Sequence, residues 1–422
     1  MKRNLVACFA GLLLTLSAAA DNWPQWRGPT NDGISKETNI PSEWSDTKNV
    51  VWKVAMPGMA GSTPIIWGDK IFLTSEEDKD LVLMCLGTDG KEQWKRTVAT
   101  GRARFMRSEG NNASPSPCTD GKHVWAYFGT GDFVCFDFNG KEVWHFNAQE
   151  RYGKFRIQHG MHTTPLLDDD RLYFQLLHSG AHVVMALDKA TGKEIWKIER
   201  KTDAEQENEH SYTSPVIYRN GKEEYLVVHG CDYATAHRLT DGGEIWRVGD
   251  LNPDNAQHRY RPDLRFVASP LATPDVIVIP SAKKHDVVGV KPSATGAFGV
   301  GSPNELWRIA KGTPDVPSPL AYDGLLYLCG ENAGPLTCLD AKTGKEHYSK
   351  RLHTAIYRAS PVYADGKVYL TARDGTITVV KAGPKFEEIA VNKLPDDVSA
   401  SPVIANGRIY IRGWKTLYAI GK

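Results

Sequence analysis

A short apolar run introduced by Ser-Pro or Thr-Pro recurs eight times along the chain, with the prolines at Pro64, Pro115, Pro165, Pro215, Pro270, Pro319, Pro361 and Pro402. A polar turn and a second apolar run follow, clearest in Ala364-Asp365-Gly366-Lys367-Val368-Tyr369-Leu370 and in Ala405-Asn406-Gly407-Arg408-Ile409-Tyr410-Ile411. A third run and a glycine turn then lead into an aromatic, most fully from Met185-Ala186-Leu187-Asp188 to Thr191-Gly192-Lys193-Glu194-Ile195-Trp196. Weaker copies end at Trp94, Trp144, Trp246, Trp307 and Tyr348, and the seventh decays to Glu387-Glu388-Ile389. Four strands recurring every roughly 40 to 55 residues argue for propeller blades over a helical solenoid.

Each punctuating residue has a physical reason. Pro lacks an N–H and is tolerated on the innermost strand of a blade, which is a sheet edge. The glycine supplies the turn between third and fourth strands. A fourth-strand Trp buries its ring against the next blade and satisfies its N–H locally. The eighth repeat ends after three strands at Leu417-Tyr418-Ala419-Ile420, while Val50-Val51-Trp52-Lys53-Val54 carries the fourth-strand signature ahead of the first repeat. The expectation is an all-β, eight-bladed propeller of four-stranded antiparallel blades, its ring closed by the N-terminal strand completing the last blade. That closure removes two exposed edges.

Composition narrows the class. With 51 Lys+Arg against 50 Asp+Glu the 422-residue chain carries a formal charge of +1, which gives no electrostatic footprint for nucleic acid. The 41% hydrophobic content is that of a folded protein. Lys2-Arg3, an apolar run from Leu5 to Leu16, and Ala18-Ala19-Ala20 read as a signal peptide over residues 1–20. Leu5-Val6-Ala7-Cys8 resembles a lipobox but has no apolar region before it, so Cys8 is read as an ordinary signal residue. Residues 21–49 are expected to be an extended segment docked on the propeller, and 50–422 the propeller itself. A secreted or periplasmic monomer, not integral to a membrane, follows. The remaining cysteines, Cys85, Cys118, Cys135, Cys231, Cys329 and Cys338, form no CxxC and read as buried hydrophobes. Cys329 and Cys338 fall on successive strands, which leaves a disulfide open. His237 is placed at the repeat position of Cys85 and Cys135, as a packed interior His.

The joint pattern of Ser-Pro, Leu-Asp and Thr-Gly-Lys-Glu-Ile-Trp resembles the PQQ-like repeat superfamily, which includes quinoprotein alcohol dehydrogenases and BamB-like assembly proteins. The opening Trp23-Pro24-Gln25-Trp26-Arg27-Gly28-Pro29 is similar to a block near the mature start of secreted bacterial members. The resemblance implies either a non-catalytic binding or protein-assembly module, or a PQQ- and calcium-dependent dehydrogenase oxidising alcohols or sugars. In such dehydrogenases PQQ is typically sandwiched between a Trp and a disulfide of adjacent cysteines, above a calcium. This chain has no adjacent Cys pair and no CxxCH haem motif.

The segments ahead of the Ser/Thr-Pro units join each outer strand to the next inner one and should converge at one channel mouth. They carry Arg107, Glu109 and Asn111, then His159 and His162, His210 and Tyr212, Arg261 and Arg265, and finally Arg358. Such a face suits a protein partner or a polar or anionic small ligand, since Arg recognises carboxylates through paired N–H donors. Two histidines alone do not make a zinc site. Glu109 and Asn111 have the residue types of a calcium site but supply few of the roughly six oxygens it needs. In the dehydrogenase reading Arg265 or Arg358 would polarise the quinone. No GxSxG, HExxH, P-loop or Rossmann fingerprint appears.

Overall fold

The computed structural model describes residues 22–45, 47–101, 110–254, 259–260, 263–282, 285–310 and 314–421. Eight four-stranded antiparallel blades follow one another around a central channel, as the repeat count predicts, and Gly296–Phe298 adds a fifth, parallel strand to the outer strand Glu244–Val248 of the fourth. The first is built from Ile65–Trp67, Lys70–Glu77, Asp80–Gly87 and Glu92–Thr100, hydrogen-bonded in that order. The last pairs Val403–Ala405, Arg408–Arg412 and Thr416–Ile420 with Val50–Ala55 as its outer strand. Among the described residues no helix is long and apolar enough to cross a membrane.

A β-bulge shows that Val50–Ala55 is a true fourth strand. In the complete blades the register shifts one residue past the third-strand position that faces the fourth-strand aromatic: Cys85 faces Trp94, Cys135 faces Trp144, Ala186 faces Trp196 and Cys338 faces Tyr348. Across the closure Ala419 faces Trp52, with a shift beside it. In the fourth blade the residue at this position is Ala236, opposite Trp246; His237 lies one place further on. It is an interior His, with Nδ1 3.0 Å from Gly242 O and Nε2 2.8 Å from Thr235 Oγ1.

The tryptophans lock one blade to the next. Trp94 Nε1 donates to Phe138 O, Trp144 to Lys189 O, Trp196 to Leu239 O and Trp307 to Ala341 O, each at 3.0 Å. Trp52 does the same to Thr88 O at 2.9 Å. Under each ring lies the turn glycine of the neighbouring blade. At Gly192 φ is +66°, and an added Cβ would lie 2.9 Å from Trp144, so both backbone and space call for Gly.

The Ser/Thr-Pro dipeptides do more than start strands. Their hydroxyls form a closed ring around the channel, each accepting the backbone N–H of its counterpart in the preceding blade. Thr63 N–H donates to Ser116 Oγ at 2.9 Å, Ser116 to Thr164, Thr164 to Ser214 and Ser214 to Ser269. Ser269 then donates to Ser318, Ser318 to Ser360, Ser360 to Ser401, and Ser401 back to Thr63 Oγ1 at 3.2 Å. The following Pro holds each ring residue extended and removes an N–H that would otherwise face the channel. In the second blade the ring member is Ser116, ahead of Pro117, and not Ser114 of the earlier Ser-Pro pair.

All six described cysteines are buried and unbridged, so Cys329 and Cys338 form no disulfide. Burial pushes the Cys85, Cys135 and Cys231 thiols up to about 12 and Cys338 to about 11.

Candidate functional site

Within a blade the chain alternates direction, so the segments entering the inner strands and the hairpins between second and third strands share one mouth. Tyr212 and Arg265 are drawn together there because Tyr212 N–H donates to Phe266 O at 2.9 Å and Phe266 N–H to His210 O at 3.3 Å. Tyr357 N–H donates to Glu331 O at 2.8 Å, which sets Arg358 beside the Glu331 carboxylate. These contacts frame a cavity of ≈ 160 Å³, open to solvent at its mouth.

Six of the expected residues line it: Asn111, His159, His162, Tyr212, Arg265 and Arg358. His210 does not; its Nε2 lies 3.1 Å from Ser179 Oγ, on the outer side of the same connection. Arg107, Glu109 and Arg261 lie outside the described residues. Two lining residues come from hairpins that the reading of inner-strand entries passed over: Arg373 and Trp414. Arg373 stacks 4.8 Å above the Trp414 ring, whose Nε1 donates to Ser399 Oγ at 3.2 Å. The signal for them was strand alternation, which puts every second hairpin at this mouth.

The two acidic partners, Glu207 and Glu331, hold the arginines in place. Glu207 Oε1 lies 3.1 Å from Arg265 Nη1 and 4.0 Å from His159 Nε2, and Glu331 pairs with Arg358. The His159 and His162 rings pack at 5.7 and 5.9 Å against Tyr212, and His159 N–H donates to the Tyr212 hydroxyl at 3.3 Å. Burial, helped by neighbouring His159, lowers the His162 pKa to about 4, so its imidazole is neutral at pH 7. Burial raises that of Tyr212, which keeps its phenol protonated.

Among the described lining residues the oxygens that could meet a calcium already have partners, and Glu109, the other candidate ligand, lies outside the described residues. The Asn111 carboxamide oxygen is committed to Ala113 N–H at 3.0 Å, and Glu207 and Glu331 are committed to arginines. Among the described residues no three His, Cys, Asp or Glu side chains converge as metal ligands. The cavity is instead rich in guanidinium and ring N–H donors, an arrangement suited to an anion.

Fold and repeats together define a PQQ-repeat propeller. The chain belongs to the family described as outer membrane protein assembly factor BamB, whose model matches residues 81–249 and 234–383, more than half of its length. No curated protein sequence matches it. Among solved structures it is similar to BamB from Moraxella catarrhalis, with 10% identity and a TM-score of 0.62, over 88% of this chain and 99% of that one. A europium-containing methanol dehydrogenase matches with 11% identity and a TM-score of 0.71, over 95% of this chain and 98% of that one. The quinohemoprotein alcohol dehydrogenase from Comamonas testosteroni matches with 13% identity and a TM-score of 0.68, over 95% and 81%. At such identities the likeness is one of fold, shared by an assembly factor and by redox enzymes alike.

Proposed function

We propose that this protein is a non-catalytic binding and assembly module of the cell envelope, which holds an acidic group of a partner protein at the cationic mouth of its propeller. The observation that carries this reading is the convergence of Arg265, Arg358 and Arg373 with His159, His162 and Tyr212 on one cavity, where three guanidinium groups meet two carboxylates, Glu207 and Glu331. The leader-like residues 1–20 and a family named for outer membrane assembly support placement outside the cytoplasm. Guanidinium groups at a partly enclosed mouth bind a carboxylate through charge-assisted, paired hydrogen bonds and speed encounter with acidic surfaces.

The rival is a PQQ- and calcium-dependent dehydrogenase. Purified protein is mixed with PQQ and calcium, scanned for quinone absorbance after desalting, and assayed for dye-linked oxidation of alcohols and sugars. The binding-module reading expects neither signal. Retained quinone with dye reduction would replace it with the dehydrogenase.

A further inference from the structure

Below the mouth the channel continues to the hydroxyl ring, and the two compartments share His162, Tyr212, Val267, Val316 and Arg358 among their walls. All eight ring residues line the inner compartment, and none is more than 6% exposed. A hydroxyl has one proton and two lone pairs. One lone pair of each takes the backbone N–H of the preceding blade, and among the described residues no ring hydroxyl finds an acceptor for its proton. The wall therefore keeps donors and acceptors in equal number for whatever enters.

Charge is nearly absent from this inner wall. Among the described residues Arg358 is its only charged side chain; it stands at the passage from the mouth and is paired with Glu331. His162 is neutral at pH 7 and Tyr212 keeps its proton. A small ion passing inward would leave its water without meeting a counter-charge, whereas a neutral polar molecule needs only hydrogen-bond partners.

The Trp23–Ser35 segment crosses the far end. Trp23 exchanges backbone hydrogen bonds with Ile66 at 2.8 Å, Thr119 N–H donates to Pro24 O, Leu167 N–H to Gln25 Oε1, and Ser35 Oγ to Ile404 O. Those partners are inner-strand residues of the first, second, third and eighth blades, at the end away from the mouth. Trp26 of this segment adds an aromatic side chain to the hydroxyl-lined wall. The compartment measures ≈ 140 Å³, about ten times the space one water needs and so close to the roughly twelve non-hydrogen atoms of a hexose.

We infer that the inner compartment is a subsite for a neutral polyhydroxylated ring of monosaccharide size, admitted from the mouth past Val267 and Val316 and stopped by the Trp23–Ser35 segment. Each hydroxyl of such a guest both gives and takes a hydrogen bond, as each Ser and Thr of the wall does, and its C–H groups pack on the Trp26 indole. Water held by the same wall is displaced without loss of hydrogen bonds. The subsite makes no use of the acidic group proposed for the mouth, and its test separates the two.

The test is calorimetric titration of the full chain, with no PQQ or calcium added. The probes are D-glucose, D-galactose and myo-inositol, then cyclohexanol as the same size of ring with a single hydroxyl, and an amidated glutamate-rich peptide. Trp26→Leu removes the aromatic part of the wall and Val316→Phe narrows the passage; neither removes a hydroxyl. At least one of the three polyhydroxylated probes should bind the wild type, and both variants should weaken it about tenfold or more. Cyclohexanol should bind the wild type about tenfold or more weakly than that probe. The Val316→Phe melting midpoint should stay unchanged, so this variant decides if Trp26→Leu does not fold. The peptide, needing only the mouth, should bind a folded Trp26→Leu as well as wild type. No binding of the three polyhydroxylated probes, unchanged affinity in Val316→Phe, or cyclohexanol binding as tightly overturns the subsite, and the mouth stands if the peptide binds. Failure of the peptide on wild type, with a polyhydroxylated probe retained, overturns the mouth alone.

Discussion

His162, His178 and His237 have pKa values lowered to about 4, and His229 to about 3, in each case chiefly by burial. An unfolded His titrates near ~6.5. Between that value and about 4 the unfolded chain takes protons that the folded chain refuses, so stability is full above pH ~6.5 and falls as the pH drops. Each imidazole contributes on the order of 1 kcal/mol per pH unit across its window. His145 works in the opposite sense, because its hydrogen bond to Asp132 raises its pKa, but it is one group against six, since burial lowers His182 and His210 as well. Urea unfolding at pH 7, 6 and 5 should show a steady fall in stability; a flat profile would mean that these imidazoles are not buried as described. Residue chemistry at the mouth was partly readable in the sequence. Arg265, Arg358, His159, His162 and Tyr212 stand in the segments entering inner strands, where convergence is forced by topology. Glu207 and Glu331 were not readable as their partners, since pairing across blades depends on how neighbouring connections lean together.

Strand identity was carried by spacing, because Pro, turn Gly and outer-strand Trp each answer a local steric demand. The hydroxyl half of the Ser/Thr-Pro dipeptide was not recognised, since its partner lies one blade away, some 40 to 55 residues distant in sequence. For the same reason the Ser-Pro pattern points to Ser114 in the second blade, two residues before the true ring member Ser116. Ser318→Ala should leave the Ser269 N–H without an acceptor and cost about 1–2 kcal/mol in urea unfolding, while Ser318→Thr, which keeps the oxygen, should stay close to wild type. Equal stability of all three proteins would reduce the ring to coincidence. Arg373 and Trp414 are not legible as site residues in the sequence, because hairpins between second and third strands look like ordinary turns until strand direction is followed.

The whole molecule is one ring, closed where the two ends of the chain meet. Val50–Ala55 pairs with Thr416–Ile420 through five residue pairs, and Trp52 packs against Tyr410 at 6.0 Å. A chain beginning at Met56 exposes the edge of the eighth blade and loses the Trp23–Ser35 crossing as well. It should melt broadly and at lower temperature; a sharp transition at the wild-type midpoint would show that closure contributes little. The near-neutral total of +1 conceals a mouth where Arg265, Arg358 and Arg373 meet Glu207 and Glu331, and the proposed binding role rests on that excess of guanidinium. The most direct test is calorimetric titration of the amidated glutamate-rich peptide against wild type and against Arg265→Gln/Arg373→Gln, at low and high salt. Salt-sensitive binding to the wild type, weakened about tenfold or more in the double variant with the fold intact, is the result expected. Equal affinity of the two proteins, or no binding at low salt, would contradict the assignment of the mouth.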